Sequence, residues 1–294
     1  MLTGFRERNF AETRTRLRVD DGRLLSETNR ASYGVGVFSL PSLGDLRSES
    51  ALKPIPVGRL RVSNISGDVR VLHRAVEYDG ALFQVASQFN MLEMISPQMT
   101  PEHGVGIYER DPTQGPACAI AAGAATIFRN YFVPNGDGTG QTSERQIDGS
   151  AGLAAALSSR TGLARGQLWT MRNGYALFSE ENLAAIDEYL ADADEATRDA
   201  LRATLVVGLH EDVEVTDRPV RPGQRVSQLF SSALPVAYNH GIRISRLWCA
   251  LATLVLEAAY EASLRAAALL ATTTSGSSTR CGGRFRSHVT GRWM

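Results

Sequence analysis

The stretch Phe83–Tyr131, FQVASQFNMLEMISPQMTPEHGVGIYERDPTQGPACAIAAGAATIFRNY, decides how the chain is read. It opens on an apolar run, turns polar at Gln88 and Asn90, and crosses a Gly/Pro-punctuated loop. It then enters a helix whose first turn carries Gly115 and Pro116. A strand that ends in polar side chains, followed by a glycine loop feeding a helix, is a way to build a phosphate or nucleotide site. The first helical N–H groups have no partner inside the helix, and the aligned peptide dipoles make that end positive.

Composition bounds the reading. With 294 residues and 43% hydrophobic content, the chain can bury a sizeable core as one large domain or two small ones. Basic and acidic residues balance at 31 each, so no global field recruits nucleic acid or an anionic membrane. Cys118, Cys249 and Cys281 are too few and too far apart for a disulfide framework or a paired metal motif, and no metal site is expected. MLTGFRERNF lacks the apolar centre of a signal peptide. The richest apolar run, 247–271, is interrupted by Glu257, Glu261 and Arg265. A soluble, intracellular, cytoplasmic protein without a membrane or nucleic-acid partner is the expectation.

Around the opening stretch the pattern is that of an α/β unit. Val57–Val62 alternates apolar and polar and predicts a half-buried strand. Ser66-Gly67-Asp68 supplies a turn and a helix cap, with Val69, Leu72, His73 and Val76 spaced for one helical face. After Tyr78-Asp79-Gly80, Ala81–Ala86 is continuous enough for a strand buried on both faces. A ligand is then expected at the carboxyl ends of the strands. Residues 1–55 are polar and Arg-rich and read as an extension along the domain edge, with a short amphipathic helix in ERNFAETRTRLR and one short strand in SYGVGVFSLPSLGDL.

Residues 132–202 read as an insertion into one core spanning 56–271. Val133–Asp148 is a long Gly/Asn/Asp-rich loop or hairpin, and Ile147–Leu157 a helix. Gln167–Phe178 is a hairpin turning at Arg172-Asn173-Gly174, and Ser179 caps a helix through Leu190. A helix starting at Asp194 should lead into an apolar strand, Ala203–Leu209. Val226–Val236 reads as a buried strand ending in Ser231 and Ser232, and Arg243–Ala271 as the longest helix. Residues 272–294 change character and form a divergent tail.

Four segments, in order, resemble macrodomains. Gly67-Asp68-Val69 is similar to a Gly-Asp-Ile/Val motif, and Phe83–Asn90 to a buried strand ending in asparagine. Gln114–Gly123 is similar to a glycine loop entering an Ala-rich helix. Ala258–Ala267 is similar to a late helix with a Tyr-x-x-Ser-Leu-x-x-Ala pattern. The resemblance implies a three-layer α/β/α sandwich around a mixed sheet and a site for ADP-ribose or an ADP-ribosylated protein, with no cofactor. It implies that Asp68 accepts a hydrogen bond from the adenine amine beside the Val69 backbone, that Asn90 holds the terminal ribose, and that Gln114 and Gly115 face the diphosphate. Gln88, Thr113 and Ser231 flank the same strand and loop ends. Gly282, Gly283 and Phe285 belong to a segment similar to the second glycine loop, although no apolar strand precedes it.

Two functions follow: hydrolysis of an ADP-ribosyl linkage, with Asn90 orienting the ribose and Asp111 or Glu109 as general base, or binding alone. SQFN stands where an asparagine-rich loop is expected, a run of three or four glycines is absent, and so are the paired glutamates of the poly(ADP-ribose) glycohydrolase branch. These departures tilt the expectation toward binding. A third route uses Cys118, in the first turn of its helix, as a nucleophile paired with His210 or His240. Each residue also has a purely structural role open to it. Asp68 can simply cap a helix, Asn90 close a turn, Gln114-Gly115 start a helix, and Cys118 pack as one small residue among alanines.

Overall fold

The computed structural model describes residues 2–7, 9–53, 61–232, 234, 246–275 and 286–289. The first fifty residues form α1 (Phe10–Arg16), strands β1 (Leu17–Asp20), β2 (Arg23–Ser26), β3 (Ser32–Gly34) and β4 (Val37–Ser39), and α2 (Leu43–Leu52). Asn9 caps α1 by accepting from Glu12 N, and Ser42 caps α2 in a reciprocal box with Asp45. β1, β2 and β3 make a small antiparallel sheet of their own, whereas β4 joins the main sheet. The segment is thus more structured than a single helix and a single strand.

Next come β5 (Arg61–Asn64), α3 (Val69–Arg74), β6 (Leu82–Ser87), α4 (Gln114–Ala121) and α5 (Gly123–Tyr131). Short 3₁₀ turns at Val76–Tyr78, Pro101–His103 and Val105–Arg110 fill the connections. The expected strand 57–62 is described only from Arg61 onward, and residues 57–60 lie outside the described residues. The next segment begins with a two-residue hairpin, β7 (Pro134–Asn135) and β8 (Gly138–Thr139), then α6 (Ala151–Thr161) and α7 (Arg165–Leu168). The hairpin β9 (Thr170–Arg172) and β10 (Tyr175–Leu177) turns at Asn173-Gly174, both with positive φ (+48° and +79°), as Asn-Gly in a two-residue turn favours. α8 (Glu180–Asp192) is capped by Ser179 and α9 (Glu195–Ala203) by Asp194.

The last elements are β11 (Gly208–Glu214), β12 (Arg225–Ser232), α10 (Arg246–Ser275) and β13 (Arg286–Val289). The strand expected over Ala203–Leu209 therefore starts five residues later. Apolar Leu205–Val207 is instead a buried connection pinned to the start of α2: Leu43 N donates to Leu205 O, and Val207 N to Pro41 O.

The main sheet runs β4-β11-β12-β6-β13-β5, with β11 antiparallel to both neighbours and β12, β6, β13 and β5 parallel. β6 is central, and its Phe83 and Val85 are fully buried. Side chains alternate between two cores. Leu82, Leu209 and Leu229 pack with Leu251, Leu254 and Val255 of α10, Leu43 and Leu46 of α2, and Leu183 and Ile186 of α8. On the opposite face Val85 and Phe230 meet Val69 of α3 and Ala117 and Cys118 of α4. Phe83, Val213 and Val226 meet Ala122 and Ala125 at the α4–α5 junction. The result is a mixed α/β architecture with helices on both faces of a mixed sheet. α9 is tied to α2 and α10 by ions: Arg47 bridges Asp199 (2.7 Å) and Glu261 (2.6 Å), and Arg202 bridges Asp199 (3.0 Å) and Glu257 (2.9 Å).

Candidate functional site

Parallel strands β5 and β6 each lead to a helix that starts at the carboxyl end of the sheet. Four residues separate β5 from α3, and the Asp68 carboxylate caps that helix. Its Oδ1 accepts from Arg70 N at 2.8 Å and from Val71 N at 3.4 Å while the residue stays exposed. Val69 is buried, and its carbonyl accepts from His73 Nδ1 at 2.8 Å. α4 begins against the end of β6 and packs beside α3.

Gln114 shows why α4 starts there. Among the described residues β13 pairs with β6 as far as Gln84. The Gln114 amide continues the ladder: Oε1 accepts from Ala86 N at 2.7 Å and Nε2 donates to Gln84 O at 2.8 Å. Gly115 follows because nothing larger fits. A Cβ there would sit 2.4 Å from Ala86 O and 3.4 Å from the Glu93 side chain. The glycine permits close helix–strand approach inside the protein.

Beyond β6 the chain reverses tightly through Gln88–Met91, with Met91 N donating to Gln88 O at 3.0 Å and Met91 at φ +58°. Asn90 is fully buried here. Its Oδ1 accepts from Leu92 N (3.1 Å), and its Nδ2 donates to Gln146 Oε1 (2.9 Å). Gln146 in turn donates to Asn173 Oδ1 (3.0 Å), and Asn173 donates to Pro97 O (2.7 Å). The β9–β10 turn seals the tip: Phe89 N donates to Gly174 O (2.9 Å), and a Cβ on Gly174 would lie 2.5 Å from Asn90 Cγ. Asn90 thus closes a turn under the hairpin, a correction to its assignment to an open ribose site.

The proposed bases are dispersed. Asp111 Oδ1 is engaged in an Asx turn with Thr113, accepting from its N–H (2.9 Å) and its hydroxyl (2.5 Å), and Thr113 marks the start of α4. Glu109 is exposed on the preceding 3₁₀ turn. No hydrogen bond among the described residues joins Asp68, Glu109 or Asp111 to the β6 tip. Ser231, at the end of β12, is buried and accepts from Gln84 Nε2 at 3.0 Å. Gly282, Gly283 and Phe285 lie outside the described residues, as does His240.

Two polar atoms at this end are buried and have no hydrogen-bond partner among the described residues: Gln88 Oε1, just past β6, and Ser232 Oγ, at the last position of β12. Ser232 pairs in register with Ser87, so the two groups stand on neighbouring strands. The Ser-Ser ending of the apolar run at 226–230 was the sequence signal for Ser232. Nothing in the sequence pointed to Gln84.

Beneath the tip lies a charged core whose pairing through Arg129 the sequence did not reveal. Arg129 and Glu93 are both inaccessible and meet at 2.9 Å and 3.2 Å. Arg129 also donates to Met91 O (3.1 Å) and to His210 Nδ1 (3.1 Å), and its guanidinium stacks 3.8 Å over the Phe230 ring. Accepting at Nδ1 makes His210 a neutral imidazole, and burial beside the Arg129 charge pushes its pKa well down. Burial pushes the Glu93 carboxyl upward, against the pull of Arg129. The Cys118 route fails on the same grounds. Its thiol is fully buried and pushed well above its ordinary value by burial and by the Glu93 charge, the opposite of an activated thiolate. No hydrogen bond among the described residues joins it to His210.

No group of metal-ligating side chains gathers among the described residues, and none of their helices is long and apolar enough to cross a membrane. No family model matches the chain, and no curated protein or solved structure matches it significantly.

Proposed function

We propose that the chain binds ADP-ribose or an ADP-ribosyl group at the carboxyl ends of β5, β6 and β12, in a macrodomain-like manner. The observation that carries the reading is Asp68. One carboxylate oxygen caps α3 while the residue stays exposed at the end of a parallel strand, where a carboxylate can accept from an amine. Gln88 Oε1 and Ser232 Oγ, unpartnered among the described residues, add an acceptor and a hydroxyl at the same end of the sheet. The mixed sheet with helices on both faces accommodates the resemblance carried by Gly67-Asp68-Val69 and Ala258–Ala267.

Binding without turnover is favoured over hydrolysis. Asn90 has both ends of its amide engaged inside the protein, and Asp111 is held in its own turn. Incubation with a mono-ADP-ribosylated peptide separates the two: retention of the peptide without release of ADP-ribose supports a reader, and release on mixing supports the hydrolase. A protein that retains neither peptide nor free ADP-ribose contradicts both.

A further inference from the structure

Two arginines from distant parts of the chain converge on one residue of the β7–β8 hairpin. Arg14 of α1 donates from Nη2 to Thr139 Oγ1 at 2.8 Å and from Nη1 to Thr139 O at 3.5 Å. Arg145 donates from Nη2 to the same carbonyl at 3.0 Å. The Arg14 guanidinium also lies over Phe10 (5.9 Å) and Phe132 (5.7 Å), which fix its plane. Arg145 lies directly on the backbone of Gly138, where a Cβ would be 2.4 Å from its Nη1, and its Nε is buried with no hydrogen-bond partner among the described residues.

Neither guanidinium forms an ion pair among the described residues. Glu12 pairs instead with Arg16 at 2.7 Å, and Glu102 Oε1 accepts from Ser143 N at 2.7 Å. Asp137 and Glu144 are exposed, and neither is ion-paired to Arg14 or Arg145. Two like charges held on one carbonyl repel each other, and an anion between them would relieve that repulsion. A lone carboxylate satisfies one fork with its two oxygens. A phosphoryl group offers three oxygens and close to two negative charges at neutral pH, matching two forks and the Thr139 hydroxyl.

We propose that Arg14, Arg145 and Thr139 form a clamp for a phosphoryl group, independent of the site at the carboxyl ends of the strands. The group comes either as a free phosphate species or on a phosphorylated peptide. The test is calorimetric titration of the full chain with inorganic phosphate and, in a second arm, with a phosphoserine peptide, acetate serving as the carboxylate control. Saturable binding in either arm, weakened about tenfold or more by Arg14→Gln and by Arg145→Gln and absent with acetate, is the expected result. The arm that binds more tightly identifies the source.

Arg14→Lys and Arg145→Lys keep the charge but remove the fork. They carry the test should the glutamine variants fail to give a native circular dichroism spectrum, and each is expected to weaken binding about tenfold. No saturable binding of either probe by the unaltered chain overturns the proposal. So does equal affinity in the folded variants.

Discussion

The Arg129 guanidinium and the Glu93 carboxylate meet 2.9 Å apart with no exposure on either side chain, directly under the turn that ends β6. Arg129 also holds the Met91 carbonyl, in a residue with φ +58°. The pair therefore fixes the backbone of the turn that ends β6.

Removing one member leaves the other charge buried and unpaired. Arg129→Met is expected to cost about 3–5 kcal/mol, read from the urea midpoint with an unchanged slope. Replacing both charges together, Arg129→Met with Glu93→Leu, should recover much of that loss. A single substitution costing less than about 1 kcal/mol would show that the pair is not the buried unit described.

Acid should weaken the protein through His73. The ring is buried, stacked 3.9 Å from Phe83, with Nδ1 donating to Val69 O and Nε2 accepting from Gln228 Nε2 at 3.2 Å. Burial pushes its pKa down from 6.5 to about 4. Above pH 6.5 the ring is neutral in both folded and unfolded chains, and its full stabilisation is present. As pH falls from 6.5 toward 4, the unfolded chain takes up a proton that the folded chain refuses. The loss reaches on the order of 3 kcal/mol, with His210 adding in the same direction. Urea unfolding across that window should show the decline, and His73→Gln should flatten it. An unchanged slope in that variant would count against a neutral buried His73.

Gly174 joins the β9–β10 hairpin to the β6 tip. Its φ of +79° and the 2.5 Å that would separate an alanine Cβ from Asn90 Cγ make Gly174→Ala strained on both counts. A loss of about 2 kcal/mol is expected. Hydrogen exchange at the Phe89 amide, which donates to Gly174 O, should speed up selectively. Protection at Phe89 equal to that of the parent chain would mean that the hairpin does not seal the tip.

What was legible in the sequence was local. Asp68 and Ser179 cap the helices their positions announced, and Asn173-Gly174 turns the hairpin it predicted, because each depends on neighbours within a few residues. β6 was legible because burial on both faces leaves a continuous apolar run. The start of β11 was misplaced because Leu205–Val207 owes its apolarity to burial against the start of α2, which pattern alone cannot tell from a strand. The burial of Asn90 was hidden because Gln146 and Gly174, which cover it, lie 56 and 84 residues away in the chain. Gln114 looked like part of a phosphate loop because nothing nearby in the sequence reveals that its amide pairs with the backbone of β6.

The central claim is tested most directly by calorimetric titration of the full chain with ADP-ribose, repeated on Asp68→Asn. Asparagine preserves the α3 cap and removes the carboxylate, so stability should hold within about 0.5 kcal/mol. The unaltered chain is expected to bind saturably, and the variant to bind about tenfold or more weakly. No heat of binding in the unaltered chain, or equal affinity in Asp68→Asn, would contradict an ADP-ribose site at this end of the sheet.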